Sequence, residues 1–238
     1  MALSSNHNSL LARLTPEDFE AVRRHSTEID FELGQVLGEP GDDVEHIYFV
    51  NRGIVSAVSI MANGETVEAY MVGSEGFTGV TAWLIPFRTS VQYVGQLAGS
   101  ALRIDAGPLR ELTGQRAGLR NVLARYAAAL YVELEQSAPC NALHRTERRF
   151  AKWLLRAHDR ANNDTLFTTQ EFLGSMLGAQ RTTVNEAAQS LANMGAISYS
   201  RGKVHIRDRA ILERAACECY GAGLAVADYR KASASVEI

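Results

Sequence analysis

Residues 181–189 could set a guanidinium, a hydroxyl, two amides and a carboxylate on one helical face: Arg181, Thr182, Asn185, Glu186 and Gln189. Val184, Ala187, Ala188 and Leu191 recur at i, i+3, i+4 and i+7 and would form the opposite, apolar row of the same helix. Donors and acceptors in that arrangement suit the edges of base pairs, because a major groove admits one α-helix. Just upstream, Phe172, Leu173, Met176 and Leu177 have the spacing of an inward helix face, and Gly178 permits a sharp turn between the two helices. Downstream, Ile197–Ser200, Arg201-Gly202 and Lys203–Ile206 read as a small hairpin whose basic tip, Arg201 and Lys203, suits phosphate oxygens.

Other chemistry is sparse. No Gly-rich phosphate loop followed by Lys, no His-Glu-x-x-His and no Ser or Cys nucleophile motif occurs, so the chain is not read as an enzyme and no catalytic residue is assigned. Residues 1–139 contain no cysteine, which argues against an iron–sulfur cluster. Cys217 and Cys219 are two apart, about 200° around a helix, so on a helix they cannot ligate from one face. The expectation is therefore no metal site, with Cys140, Cys217 and Cys219 as buried packing and His46 and His205 in structural roles.

The 238 residues carry a net charge of -3, 46% hydrophobic and 21% charged residues, an ordinary globular balance. The charge is unevenly spread: residues 1–144 sum to -7, 145–210 to +5 and 211–238 to -1. An acidic module joined to a basic one points to a polyanionic partner for the second. No apolar run approaches the roughly 20 residues of a membrane span, and residues 1–8 lack a secretory leader. A reducing cytoplasm and no membrane association are expected.

Three regions should position these groups. After a short helix opened by Thr15-Pro16, residues 31–104 read as short strands broken by glycine turns: a strand at Ile47–Val50 ending at Asn51-Arg52-Gly53, a second at Ile54–Ile60, and an Asn63-Gly64 hairpin turn before Thr66–Tyr70. Gly73, Gly76, Gly79, Gly95 and Gly99 continue the turn signals, as in a compact β-barrel or roll. From Pro108 to about Ser137 the period becomes helical. Leu119, Leu123, Tyr126, Leu130 and Leu134 fall on one stripe resembling a coiled-coil seam, although the same spacing fits a helix packed on its own domain. Pro139 should break or kink this helix and mark a hinge at 139–143. Beyond it, Phe150, Trp153, Leu154 and Ala157 read as core, Asn162-Asn163-Asp164 as a loop, and Thr168-Thr169-Gln170-Glu171 as a capping box.

In these residues the chain resembles the cyclic-AMP receptor/Fnr (Crp/Fnr) family of bacterial regulators, over roughly residues 10–213. The resemblance rests on Thr169-Gln170-Glu171-Phe172-Leu173-Gly174 through Leu177-Gly178-Ala179-Gln180-Arg181-Thr182-Thr183-Val184, and on the glycine framework Gly34-Gln35, Glu39-Pro40-Gly41, Tyr48–Gly53 and Glu75-Gly76-Phe77-Thr78-Gly79. It implies an α+β chain: an N-terminal β-roll sensor like a cyclic-nucleotide-binding domain (1–107), a dimerisation helix and hinge (108–142), a winged helix-turn-helix (143–222) and a loose tail (223–238). It also implies a homodimeric transcription regulator with double-stranded DNA and RNA polymerase as partners. The DNA-binding set becomes Thr169, Gln170, Arg181, Thr182, Thr183, Asn185, Glu186, Gln189, Arg201 and Lys203. Arg181 aligns with a guanine-reading arginine, whereas Glu186 stands where arginine is frequent, implying a different operator. Gln180 replaces the usual Ser or Thr cap.

Family members that bind cyclic nucleotides use a glutamate for the ribose, with an arginine and a small hydroxyl residue for the phosphate. Arg88, Thr89 and Ser90 could supply the phosphate half, but Val80 occupies the glutamate position and accepts no hydrogen bond. An unmet buried hydroxyl costs roughly 1–3 kcal/mol, so the reading disfavours cyclic AMP and leaves the effector unknown. The alternatives are a cyclic-nucleotide-responsive regulator and a protein-interaction module without DNA binding.

Overall fold

A computed structural model describes residues 8–161, 163–200 and 202–221. Its elements in chain order are α1 (Pro16–Arg24), β1 (Ser26–Phe31), β2 (Val36–Gly38), β3 (His46–Ile60), β4 (Thr66–Val72), α2 (Val80–Leu84), β5 (Gln92–Asp105), α3 (Ala106–Gln115) and α4 (Ala117–Leu143). Then come α5 (Thr146–Ala161), β6 (Thr165–Phe167), α6 (Gln170–Leu177), α7 (Arg181–Asn193), β7 (Ile197–Ser200), β8 (Lys203–Ile206) and α8 (Arg209–Ala215). Two compact units result: described residues 8–59 and 70–130, and described residues 60–69 and 131–221.

The first unit is built on a sheet ordered β1-β5-β3-β4, with β2 also paired to β5. Thr15 caps α1 by accepting from the Asp18 amide at 3.2 Å, and Pro16 takes the first helical position. The turn expected at 51–53 is instead a bulged stretch inside one 15-residue strand. Register against β5 shifts at Val50/Arg52, Arg52/Ile54 and Ile54/Val55. Gly53 adopts φ +83°, and a Cβ there would lie 2.5 Å from the Leu97 carbonyl oxygen. Likewise Gly95 and Gly99, expected in turns, lie within β5, where the Glu32 and Arg52 carbonyls respectively leave no room for a side chain.

Asn8, read only as part of a polar terminus, is fully buried. Its amide donates to the Val50 and Gly76 carbonyls at 2.8 and 2.7 Å, and its Oδ1 accepts from the Leu10 and Leu11 amides. Phe77 joins an aromatic cluster with Phe49, Trp83 and Tyr126 at centroid distances of 5.2, 6.1 and 5.0 Å.

The single helix expected from Pro108 is two, broken at Arg116 (φ −121°, ψ 96°). Arg116 donates to Asp18 Oδ1 at 2.9 Å, tying the break to α1. Pro139 does not end α4, which runs on to Leu143; only one further turn has to form beyond the missing N–H. The leucine stripe also needs correction. Leu119, Leu123, Tyr126 and Leu130 are all buried within the chain itself and Leu134 is half-buried, so this side of α4 is committed core rather than a free apolar surface for a partner. The large apolar side chains α4 exposes before its last turn are Tyr131 and Val132, in line with the exposed Ala124 and Ala128. Finally, α8 ends at Ala215 and Ala216 is extended (φ −67°, ψ 159°), so Cys217 and Cys219 do not share a continuous helix as the angular argument assumed.

The glycine geometry gives a paired expectation. Gly99→Ala should cost about 1–3 kcal/mol, since the new methyl meets backbone that cannot move aside. Gly114→Ala, in α3 with open space around it, should gain up to about 1 kcal/mol. Urea unfolding of the two variants against the parent checks both signs.

Candidate nucleic-acid interface

In the second unit α5 packs against α6, α7 and α8, and β6, β8 and β7 form a three-stranded antiparallel sheet. The inner row of α7 is buried as its spacing requires: Val184 and Leu191 are 0% exposed, Ala187 and Ala188 4%. Phe150, Leu154 and Ala157 of α5 are also fully buried. Fixing that row leaves Arg181, Thr182, Asn185, Glu186 and Gln189 exposed, with Thr183 half-buried.

The approach to α7 is set by local backbone chemistry. Gly178 ends α6 in the left-handed region (φ 56°, ψ 47°), accessible without the clash a Cβ brings. Gln180, the residue before α7, makes no side-chain cap, in line with the poor capping ability of Gln. At the start of α6 the cap is displaced by one residue from the predicted box. Thr169, not Thr168, accepts from the Phe172 amide at 3.1 Å, so Glu171 falls at the second helical position and no capping box forms. Thr168 instead turns inward and its amide donates to the Gly202 carbonyl at 2.8 Å, holding the hairpin to the helix pair. Phe172, predicted inward, is only half-buried.

Side chains of the two helices are pre-arranged across the turn. Gln170 donates to Asn185 Oδ1 at 2.8 Å and accepts from Arg181 Nε at 3.3 Å, so the guanidinium edge and the amide are held side by side on the exposed surface. Gln189 donates to Asn193 Oδ1 at 2.9 Å. On the hairpin, Lys203 is exposed with its ammonium 4.9 Å from the Phe167 ring centroid. Arg201 lies outside the described residues, as does Asn162 of the predicted loop. The short strand β6, which supplies Phe167, was not read from the sequence: three residues are too few to show a period.

The predicted effector residues do not form a comparable set. Val80 opens α2 half-buried, and Ser90 is exposed. Arg88 is exposed and paired with Asp43 at 3.3 Å. Thr89 is buried, but its hydroxyl donates to the Val91 carbonyl and accepts from the Val91 amide, so it is committed to its own turn. The adjoining cleft, about 400 Å³, is lined by Glu39, Asp42, Asp43 and Glu45, a set of carboxylates that opposes a phosphate. Deeper in the roll the Tyr70 and Tyr93 hydroxyls lie 3.0 Å apart and Tyr93 accepts from the Gly79 amide at 3.1 Å. Burial holds the Tyr70 phenol well above its ordinary pKa, so it stays neutral.

Residues 28–116 match the family model of the cyclic nucleotide-binding domain, and residues 148–215 match that of the Crp-like helix-turn-helix domain. The chain belongs to the Crp/Fnr family. It is thus a DNA-binding transcription regulator joined to a domain of ligand-binding type. Three solved structures share the α+β architecture of β-roll, long helix and winged helix-turn-helix. The c-di-GMP responsive global regulator CLP of Xanthomonas campestris is 16% identical, with 82% of this chain and 100% of that one covered and a TM-score of 0.69. FixK2 from Bradyrhizobium japonicum is 16% identical, with 81% and 98% covered and a TM-score of 0.68. A CRP/FNR family transcriptional regulator from Thermus thermophilus is 23% identical, with 80% and 98% covered and a TM-score of 0.61. At these identities the likeness is one of fold. No curated protein matches the chain in sequence. Among the described residues no helix is long and apolar enough to cross a membrane.

The displaced cap yields a direct check. Thr169→Ala should destabilise the helix-turn-helix by about 1 kcal/mol, and Thr168→Val, which removes no cap, should not reproduce that loss. Thermal unfolding followed by circular dichroism distinguishes the two.

Proposed function

We propose that the chain binds a two-fold symmetric DNA site as a homodimer, with the outward row of α7 reading base edges in the major groove. The observation that carries this reading is the division of α7 itself: one row is fully buried, while Arg181, Thr182, Asn185, Glu186 and Gln189 stand in solvent on the other side. Arg181 suits guanine O6 and N7, Asn185 suits adenine, and Glu186 accepts from cytosine N4. Thr169 and Gln170 at the start of α6, Thr183, and the hairpin residues Arg201 and Lys203 would hold the phosphate backbone beside the groove. Pairing of two copies places the recognition helices about 34 Å apart, on successive major grooves.

The dimer contact is assigned to the exposed side of α4, Ala124, Ala128, Tyr131 and Val132, in place of the buried leucine stripe. Small residues there allow two helices to approach closely, and Tyr131 is 62% exposed. The β-roll is read as the sensor, for an effector other than cyclic AMP. The carboxylate-lined cleft, the Arg88–Asp43 pair and the absence of a ribose-binding carboxylate at Val80 favour that choice. RNA polymerase is the further partner such a regulator meets on its promoter.

Selection of bound duplexes from random DNA tests the reading: a palindromic consensus is expected. Arg181→Ala should cost about 1–3 kcal/mol and relax preference at one base, while log affinity should fall steeply with log salt, by about 0.9 per phosphate neutralised. A protein-interaction module would give neither a consensus nor a slope. For the dimer, Ala128→Glu should shift sedimentation towards the monomer, because it introduces like charges into a close helix pair; Leu123→Ala should instead lower stability by about 2–5 kcal/mol.

A further inference from the structure

His144 directly follows the last residue of α4, and its backbone amide donates to the Cys140 carbonyl at 3.1 Å, so it stands one turn on from Cys140 and on the same side. The turn after α8 brings Cys217 and Cys219 to the same place, and the ligating atoms of all four lie within 4.8 Å of one another. Two of the separations are informative. Cys140 Sγ is 3.7 Å from Cys217 Sγ, and Cys219 Sγ is 3.5 Å from His144 Nδ1. A tetrahedral ion with metal–sulfur bonds of about 2.3 Å sets its ligand atoms about 3.8 Å apart. Both measured edges are those of a single four-coordinate ion.

Buried thiols alone are ordinary packing. What distinguishes this group is the polar shell around it. His144 turns Nδ1 to the sulfurs while Nε2 lies 3.1 Å from Glu218 Oε1, the arrangement in which a carboxylate fixes the tautomer and orientation of a ligating imidazole. Lys152 donates its ammonium to Cys140 Sγ at 3.1 Å, and Gln136 donates its amide to Cys219 Sγ at 3.2 Å. Apolar packing does not call for a cation and an amide donor aimed at sulfur; thiolates do. Three thiolates around a divalent cation leave one negative charge, which the Lys152 ammonium balances.

We propose that Cys140, His144, Cys217 and Cys219 bind one zinc ion as a closed structural site. Zinc is the choice of the donor set, since three thiolates and an imidazole in a tetrahedron suit a borderline-soft ion without a geometric preference of its own. Four protein ligands leave no open position for a substrate. The ion joins the last turn of α4 to the segment after α8, 77 residues apart, and so clamps the two ends of the DNA-binding region together. Closing a loop of that length restricts the unfolded chain, so loaded protein should unfold at a higher temperature than stripped protein.

The test uses the full chain, purified reduced from zinc-supplemented cells and analysed by elemental mass spectrometry. One zinc per chain is expected. Titration of the stripped protein with cobalt(II) should give tetrahedral ligand-field bands together with thiolate-to-metal charge transfer. Cys217→Ser and His144→Ala should lose the metal while keeping the far-ultraviolet circular dichroism of the parent, and Glu218→Gln should weaken zinc about 10-fold or more. Metal-free protein with no cobalt spectrum overturns the proposal. So do several irons per chain with acid-labile sulfide, a Cys140–Cys217 disulfide in freshly isolated protein, or variants that keep a full complement of zinc.

Discussion

The seating of Val184, Ala187, Ala188 and Leu191 within the second unit is the constraint from which the rest of the DNA-facing geometry follows. A 13-residue helix that commits one row to the core has its rotation about its own axis fixed. The polar row must then face outward, and the αL turn at Gly178 sets where along the surface it begins. The Gln170 bridge to Asn185 and Arg181 adds order at little cost, because it links exposed groups that would otherwise sample many rotamers. Stability and recognition thus use opposite sides of one element. Substitution on the inner side acts through folding, and on the outer side through contact.

The long helix obeys the same logic with the opposite outcome for interpretation. Leu119, Leu123, Tyr126 and Leu130 form a clear apolar stripe, and spacing alone cannot say whether such a stripe faces a partner or its own subunit. Phe77 and Gly76 decide it: the Tyr126 ring packs on Phe77, and its hydroxyl lies where a Cβ on residue 76 would have to go. The large apolar side chain fills the core, and the side of small residues, Ala124 and Ala128, is what remains outside. A coiled-coil seam and a core stripe share a period, so only the identity of the facing surface separates them.

Much of the architecture was legible before any coordinates, because helix period, capping residues and strand alternation are local. The row on α7, the turn at Gly178 and the Lys203 hairpin all follow from residues within a few positions of one another. What stayed hidden depended on distant partners. Gly95 and Gly99 look like turn residues, yet they are small because the Glu32 and Arg52 carbonyls pass close to them. Asn51-Arg52-Gly53 looks like a strand end, yet the strand bulges and continues. The break at Arg116 depends on Asp18, nearly one hundred residues earlier. The cysteine group was obscured by assuming that α8 continued through Cys217; once the helix ends at Ala215, a spacing that forbade joint ligation permits it.

The central claim is that residues 181–189 of α7 lie against base edges. Determining the structure of the protein on its selected duplex tests it most directly. Arg181 and Asn185 are predicted within hydrogen-bond distance of bases in the major groove, with Lys203 beside the flanking phosphates. A complex in which α7 stands clear of the groove and another surface holds the DNA would contradict the account.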